Sequence, residues 1–97
     1  MVKAIPEGYH TVTPFLNVAG ASEAIEFYKK AFGAEEKGRH AGPDGKIMHA
    51  EIQIGDSRIM ISDVMQRPAT TASLHLYVKD CDAAWKRATD AGAKVDN

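Results

Sequence analysis

Two stretches of the chain match at a constant offset of 60 residues, and this repeat constrains the fold more than any other feature. "TVTPFLNVAGASEAIEFYKKAFGAE" (residues 11–35) lies over "TASLHLYVKDCDAAWKRATDAGAKV" (residues 71–95) with five identities, Thr11/Thr71, Leu16/Leu76, Val18/Val78, Ala24/Ala84 and Ala31/Ala91. Self-similarity at a fixed spacing marks a duplicated unit. Each copy reads as a strand followed by a helix. Val12, Leu16 and Val18 alternate with Thr13, Phe15 and Asn17, and Leu74, Leu76 and Val78 alternate with Ser73, His75 and Tyr77, the period of a strand. The helices are expected over about 22–32 and 82–91, with Ser22 and Asp82 as N-caps and Gly33 and Gly92 as stops. Ala24, Phe27, Tyr28, Ala31 and Phe32 form the first buried stripe, and Ala84, Trp85, Ala88 and Ala91 the second.

Between the copies, "GPDG" (residues 42–45) is a turn signal between two strands. "IGDS" is another, joining the strand of Met48, Ala50, Ile52 and Ile54 to that of Ile59 and Ile61. The first unit is therefore β-α-β-β-β and the second β-α. The expected fold class is α+β: one domain over 1–97, with a complete module over about 9–64 and a partial one over about 71–97. "MQRPATTA" reads as the linker between them. A chain of 97 residues buries a modest fraction of its surface, so a homodimer is the expected assembly. Net charge of −1 with mixed signs carries no footprint for nucleic acid, and no apolar run is long enough to span a bilayer. The single cysteine, Cys81, forms no internal disulfide, which points to a reducing, cytoplasmic compartment.

Alternation sorts the strand residues onto two faces. Val12, Leu16, Val18, Ala50, Ile52, Ile54, Ile59, Ile61, Leu74, Leu76 and Val78 form the face expected to pack on the helices. The other face carries Thr13, Phe15, Asn17, His49, Glu51, Gln53, Met60, Ser73, His75 and Tyr77. That mixture of polar groups with Phe, Met and Tyr suits the wall of a pocket for a small organic molecule better than a fully solvated surface. Three other readings stay open. His49, Glu51 and His75 are ligand types for Zn, Ni, Mn or Fe, although H-x-E on one strand is a weak signal. Glu51 is a candidate general base. The face could also be filled by side chains alone, in a dimerising domain with no ligand. His10 and His40 are expected at the surface, and "GPDG" lacks the Lys and the helix of a phosphate loop.

"GYHTVTPFLNVAGASEAIEFYKKAFGAE", "KIMHAEIQIGDSRIMISD" and "SLHLYVKDCDAAWKRATDAGAKV" together resemble the glyoxalase/bleomycin-resistance/dioxygenase superfamily, the vicinal oxygen chelate fold, in its PhnB-like branch. The resemblance implies paired βαβββ modules forming a curved, open mixed sheet around a cleft, with helices outside. It also implies metal positions on the first and last strand of each module, which fall here on Thr13, Met60 and Ser73. These replace the family's His and Glu ligands poorly. The resemblance therefore implies a cleft that binds a small molecule without the family metal, lined by Thr13, Phe15, His49, Glu51, Met60, Ser73, His75 and Tyr77. A metal-dependent lyase, isomerase or dioxygenase is the alternative.

Overall fold

The computed structural model describes residues 4–64, 68–69 and 71–95. The elements are β1 (Phe15–Val18), α1 (Ala21–Phe32), β2 (Glu35–Ala41), β3 (Ile47–Ile54), β4 (Ser57–Asp63) and α2 (Cys81–Asp90). The strands form one mixed sheet in the order β1-β4-β3-β2, with β1 parallel to β4 and the other pairs antiparallel. The architecture is α+β, as the repeat predicts. Of the linker 65–72, residues 65–67 and 70 lie outside the described residues.

The core forms where alternation places it. Leu16, Ala50, Ile52, Ile59 and Ile61 are buried together with Ala21 and Ile25 of α1. Removing these apolar side chains from water is the main favourable term in folding. Facing residues share a side of the sheet, so Leu16, Ile61 and Ala50 make one buried row and Ile59 and Ile52 another. On α1 the buried positions are Ala21, Ile25 and Ala31, while Phe27, Tyr28 and Phe32 are half-buried, with Tyr28 stacked on Phe32 and Phe27 edge-on to Phe32. The stripe is thus centred nearer Ile25 than the spacing of Ala24, Phe27 and Tyr28 suggests.

Both helices begin at the repeat offset, with Gly20 and Asp80 as their caps. These lie two residues before Ser22 and Asp82. The Asp80 side chain accepts from the Ala83 amide at 3.0 Å, a local cap. Gly20 has no side chain to do this, and a distant residue takes its place. Asp63, at the end of β4, accepts from the Gly20 and Ala21 amides through Oδ1 (3.1 and 3.0 Å) and from the Ile47 amide through Oδ2 (2.7 Å). At the other end of α1, Gly33 closes the helix in the left-handed region at φ 69°, a conformation that strains any residue with a Cβ.

The second unit departs from expectation. Residues 71–78 form no strand, and Leu74, Leu76 and Val78 are exposed. The reason lies in the first unit. There β1 has a single strand neighbour, β4, which comes from the end of the same unit. The second unit has no counterpart of β4 among the described residues, so its alternating segment has no ladder to join. Val12, at 84% exposure, likewise precedes β1 instead of extending it. Helix α2 packs on α1 and buries none of its residues, leaving Trp85 56% exposed. Arg87 fixes this contact by donating from Nε to the Lys30 carbonyl (2.8 Å) at the end of α1.

Hydrogen bonds to the charged form hold the Asp63 carboxyl below its usual value of 3.8, the Ala21 amide contributing most. Its stabilising contribution is therefore fully present above pH 3.8 and is lost as pH falls through the lower folded value. Urea denaturation of Asp63→Ala is expected to show a loss of about 3 kcal/mol at pH 7. The difference from the parent should shrink in acid below the ordinary Asp range, and a difference independent of pH would contradict this role.

Candidate functional site

The face of the sheet opposite α1 is built by the same alternation that makes the core. Phe15, Met60 and Glu51 stand side by side on β1, β4 and β3. Asn17 faces Ser62 in the next row, where the Ser62 hydroxyl donates to Asn17 Oδ1 at 2.6 Å. His49 faces His40 of β2, and its ring lies 5.8 Å from that of Phe15. Arg58 faces Gln53 and donates to Gln53 Oε1 from Nε at 2.8 Å.

Glu51 is the electrostatic centre of this face. Its carboxylate lies 3.6 Å from Arg58 Nη1 and 3.4 Å from His49 Nε2. The Arg58 contact is an ion pair, and both distances exceed the roughly 2.7–2.9 Å of a charge-assisted hydrogen bond. Arg58 is held in turn by the N-terminal segment. The Tyr9 ring sits over the guanidinium at 5.2 Å, a cation–π arrangement. The chain reaches that position through a turn in which the Tyr9 amide donates to the Pro6 carbonyl at 3.0 Å. Gly8 has φ +88°, and a Cβ there would stand 3.0 Å from Arg58 Nη2, so the backbone approaches the guanidinium closely.

Between this segment and the sheet lies a groove of about 670 Å³, bounded by Ile5, Pro6, Tyr9, Thr13, Glu51 and Met60. A space of that size takes a small organic molecule. Of the residues expected at the cleft, Thr13, Glu51 and Met60 line the groove, and Phe15 and His49 stand beside it on the sheet. The structure does not bring Ser73, His75 and Tyr77 to them. Ser73 is exposed on the irregular segment, and His75 and Tyr77 contact each other at 4.8 Å while lining a second cavity of about 610 Å³ near α2. Tyr77 is 93% exposed. The cause is again the unpaired segment 71–78, which cannot continue the pleat of the sheet.

A divalent cation is poorly served by these positions. Thr13 Oγ1 donates its hydrogen to the His10 carbonyl at 3.2 Å, Met60 offers a thioether, and Ser73 stands elsewhere. His49 and Glu51 are a pair without His75, and no group of three His, Cys, Asp or Glu residues suited to a metal occurs among the described residues. Alternation through Met60 could have identified Arg58 and Ser62, which share its parity. Nothing in the spacing announces Tyr9, because it reaches the site through a turn.

A family model for the N-terminal domain of the At5g48480-like glyoxalases matches residues 15–64, from the first residue of β1 to just past β4. The chain belongs to the glyoxalase superfamily. Its β-α-β-β-β unit is the module of the vicinal oxygen chelate fold. The Mycobacterium bovis protein Mb0911c is 40% identical over 96 residues, covering 87% of this chain. The chain spans 63% of that relative's length. The crystal structure of the Arabidopsis thaliana At5g48480 product superposes with a TM-score of 0.67 at 27% identity, over 92% of this chain and 79% of the other. The Bacillus cereus PhnB protein shares the fold, with a TM-score of 0.67 at 22% identity over 88% and 74% of the two chains. Among the described residues, no helix is long and apolar enough to cross a membrane.

If Arg58 joins the N-terminal segment to Glu51, Arg58→Met should preserve the helical circular dichroism. Amide exchange over residues 8–13 should rise by about five- to thirtyfold. Unchanged exchange there would show that the segment is held by other contacts.

Proposed function

We propose that this glyoxalase-superfamily chain binds a small organic molecule in the groove between its N-terminal segment and the sheet, without the family metal. One observation supports the reading above the others. A carboxylate flanked by Arg58 and His49 opens onto a space of about 670 Å³ whose remaining walls include Ile5, Pro6, Tyr9 and Met60. Apolar walls around a few fixed polar groups are the usual composition of a ligand site. Thr13 and Glu51 supply the polar contacts, Met60 the adaptable apolar one, and Phe15 and His49 the adjoining rings.

Metal-dependent lyase, isomerase or dioxygenase chemistry is the weaker reading, because Thr13, Met60 and Ser73 are poor ligands and the last is not beside the first two. Glu51 is partly exposed and free of short hydrogen bonds, so it remains a group that could accept a proton from a bound molecule.

Ligand-observed NMR with a library of neutral and charged aromatic fragments tests the site. Fragments that bind the parent chain should lose about tenfold in affinity with Glu51→Ala, at unchanged melting temperature. His75→Ala should leave the same affinities unchanged, since His75 lines the other cavity. Equal loss in both variants, or binding unaffected by Glu51→Ala, would place the site elsewhere.

A further inference from the structure

The Tyr9 hydroxyl is buried and, among the described residues, has no hydrogen-bond partner. We infer that it is reserved for the bound molecule, donating to an acceptor oxygen such as a carbonyl carried on an apolar body. This rests on the groove being the binding site and adds to that reading a donor and the chemistry it selects.

Burying a hydroxyl without a partner forfeits its bonds to water, and most buried polar groups in folded proteins are paired for that reason. The contact that Tyr9 does make needs no hydroxyl. Its ring lies over Arg58 at 5.2 Å, and a phenylalanine ring would offer the guanidinium the same kind of face. A neutral phenol has one hydrogen to give. Of the side chains around the groove, Ile5, Pro6 and Met60 carry no oxygen, and neither Glu51 nor Thr13 accepts from Tyr9. The oxygen thus serves no contact within the chain.

Tyr9 is also placed to meet an incoming molecule. It lines the groove, and within residues 4–12 it alone is half-buried while the others are exposed. Among the described residues, the only backbone hydrogen bond within this segment is the turn from the Tyr9 amide to Pro6. The first backbone bond to the sheet comes later, from the Met60 amide to the Pro14 carbonyl at 3.0 Å. The Tyr9 ring is therefore the chief hold on the segment, and few buried contacts oppose a local shift. A shift that opens the groove also uncovers the hydroxyl. A molecule entering with an acceptor oxygen takes its hydrogen, and the segment then closes with the donor satisfied.

The test uses propiophenone and propylbenzene, which share a shape and differ by the carbonyl oxygen, with the full chain at pH 7. Affinities are read by chemical-shift titration of the isotope-labelled protein. Propiophenone should bind the parent chain about tenfold more tightly than propylbenzene. In Tyr9→Phe it should fall to the affinity of propylbenzene, which itself should change little because the ring is retained. Without either probe, exchange of the amide at position 9 should slow about fivefold in Tyr9→Phe, since closing the segment no longer strands a hydroxyl. Unchanged or faster exchange would show that the hydroxyl already has a partner and would overturn the assignment. Equal affinities in the parent would overturn it too, as would a preference for propiophenone that survives in Tyr9→Phe and belongs to another donor such as His10. Each of these leaves the groove a binding site. No shift at the groove residues with either probe would overturn the binding reading itself.

Discussion

Asp63 accepts amide hydrogens from Gly20, Ala21 and Ile47, and these belong to segments distant in sequence. The first two are unpaired donors at the start of α1, where the helix dipole also favours a negative charge. The third opens β3. One carboxylate at the end of β4 therefore fixes where the helix begins, where β3 begins and how both meet the strand that pairs with β1. The helix starts on a glycine without a capping side chain, so this long-range cap does what Asp80 does locally for α2. Buried Ile25, Ile52 and Ile61 supply the apolar burial, and Asp63 sets the registration in which they meet.

The candidate site follows from that registration. Once Ile59 and Ile61 face α1, Arg58 and Met60 must face the other way, and strand pairing puts Met60 between Phe15 and Glu51. The sheet thus supplies a floor with an ion pair and an apolar row. The N-terminal segment supplies the wall, tied down by Tyr9 over Arg58. Core and groove are two faces of one pleat, and a slip of one residue in β4 would exchange them.

The first unit was legible because its strands are complete. Alternation alone assigns Leu16, Ala50, Ile52, Ile59 and Ile61 to the core and His49, Glu51 and Met60 to the opposite face. Periodicity failed at Leu74, Leu76 and Val78, whose pattern is as regular as that of β1. A strand pattern records a preference for a pleated, half-buried surface, and it is realised only where a neighbouring strand exists. His75 and Tyr77 left the expected cleft for that reason. Asp63 and Tyr9 escaped notice for another: both act across long sequence separations, through backbone donors or a turn, and neither has a period. The visible hint for Asp63 was indirect, an acidic residue on the helix-facing parity of β4 and a bare glycine at the start of α1.

The chain carries two cavities of similar size, one walled by Tyr9, Thr13 and Met60 and the other by Leu74, Leu76 and Val78. Isotope-filtered NOE spectroscopy of the chain with 4-propylphenol distinguishes them at the level of single methyl groups. The groove account predicts cross-peaks from the propyl and ring protons to the methyls of Met60 and Thr13, with none to Leu74 or Leu76. Cross-peaks to Leu74 and Leu76, or to neither set, would contradict it.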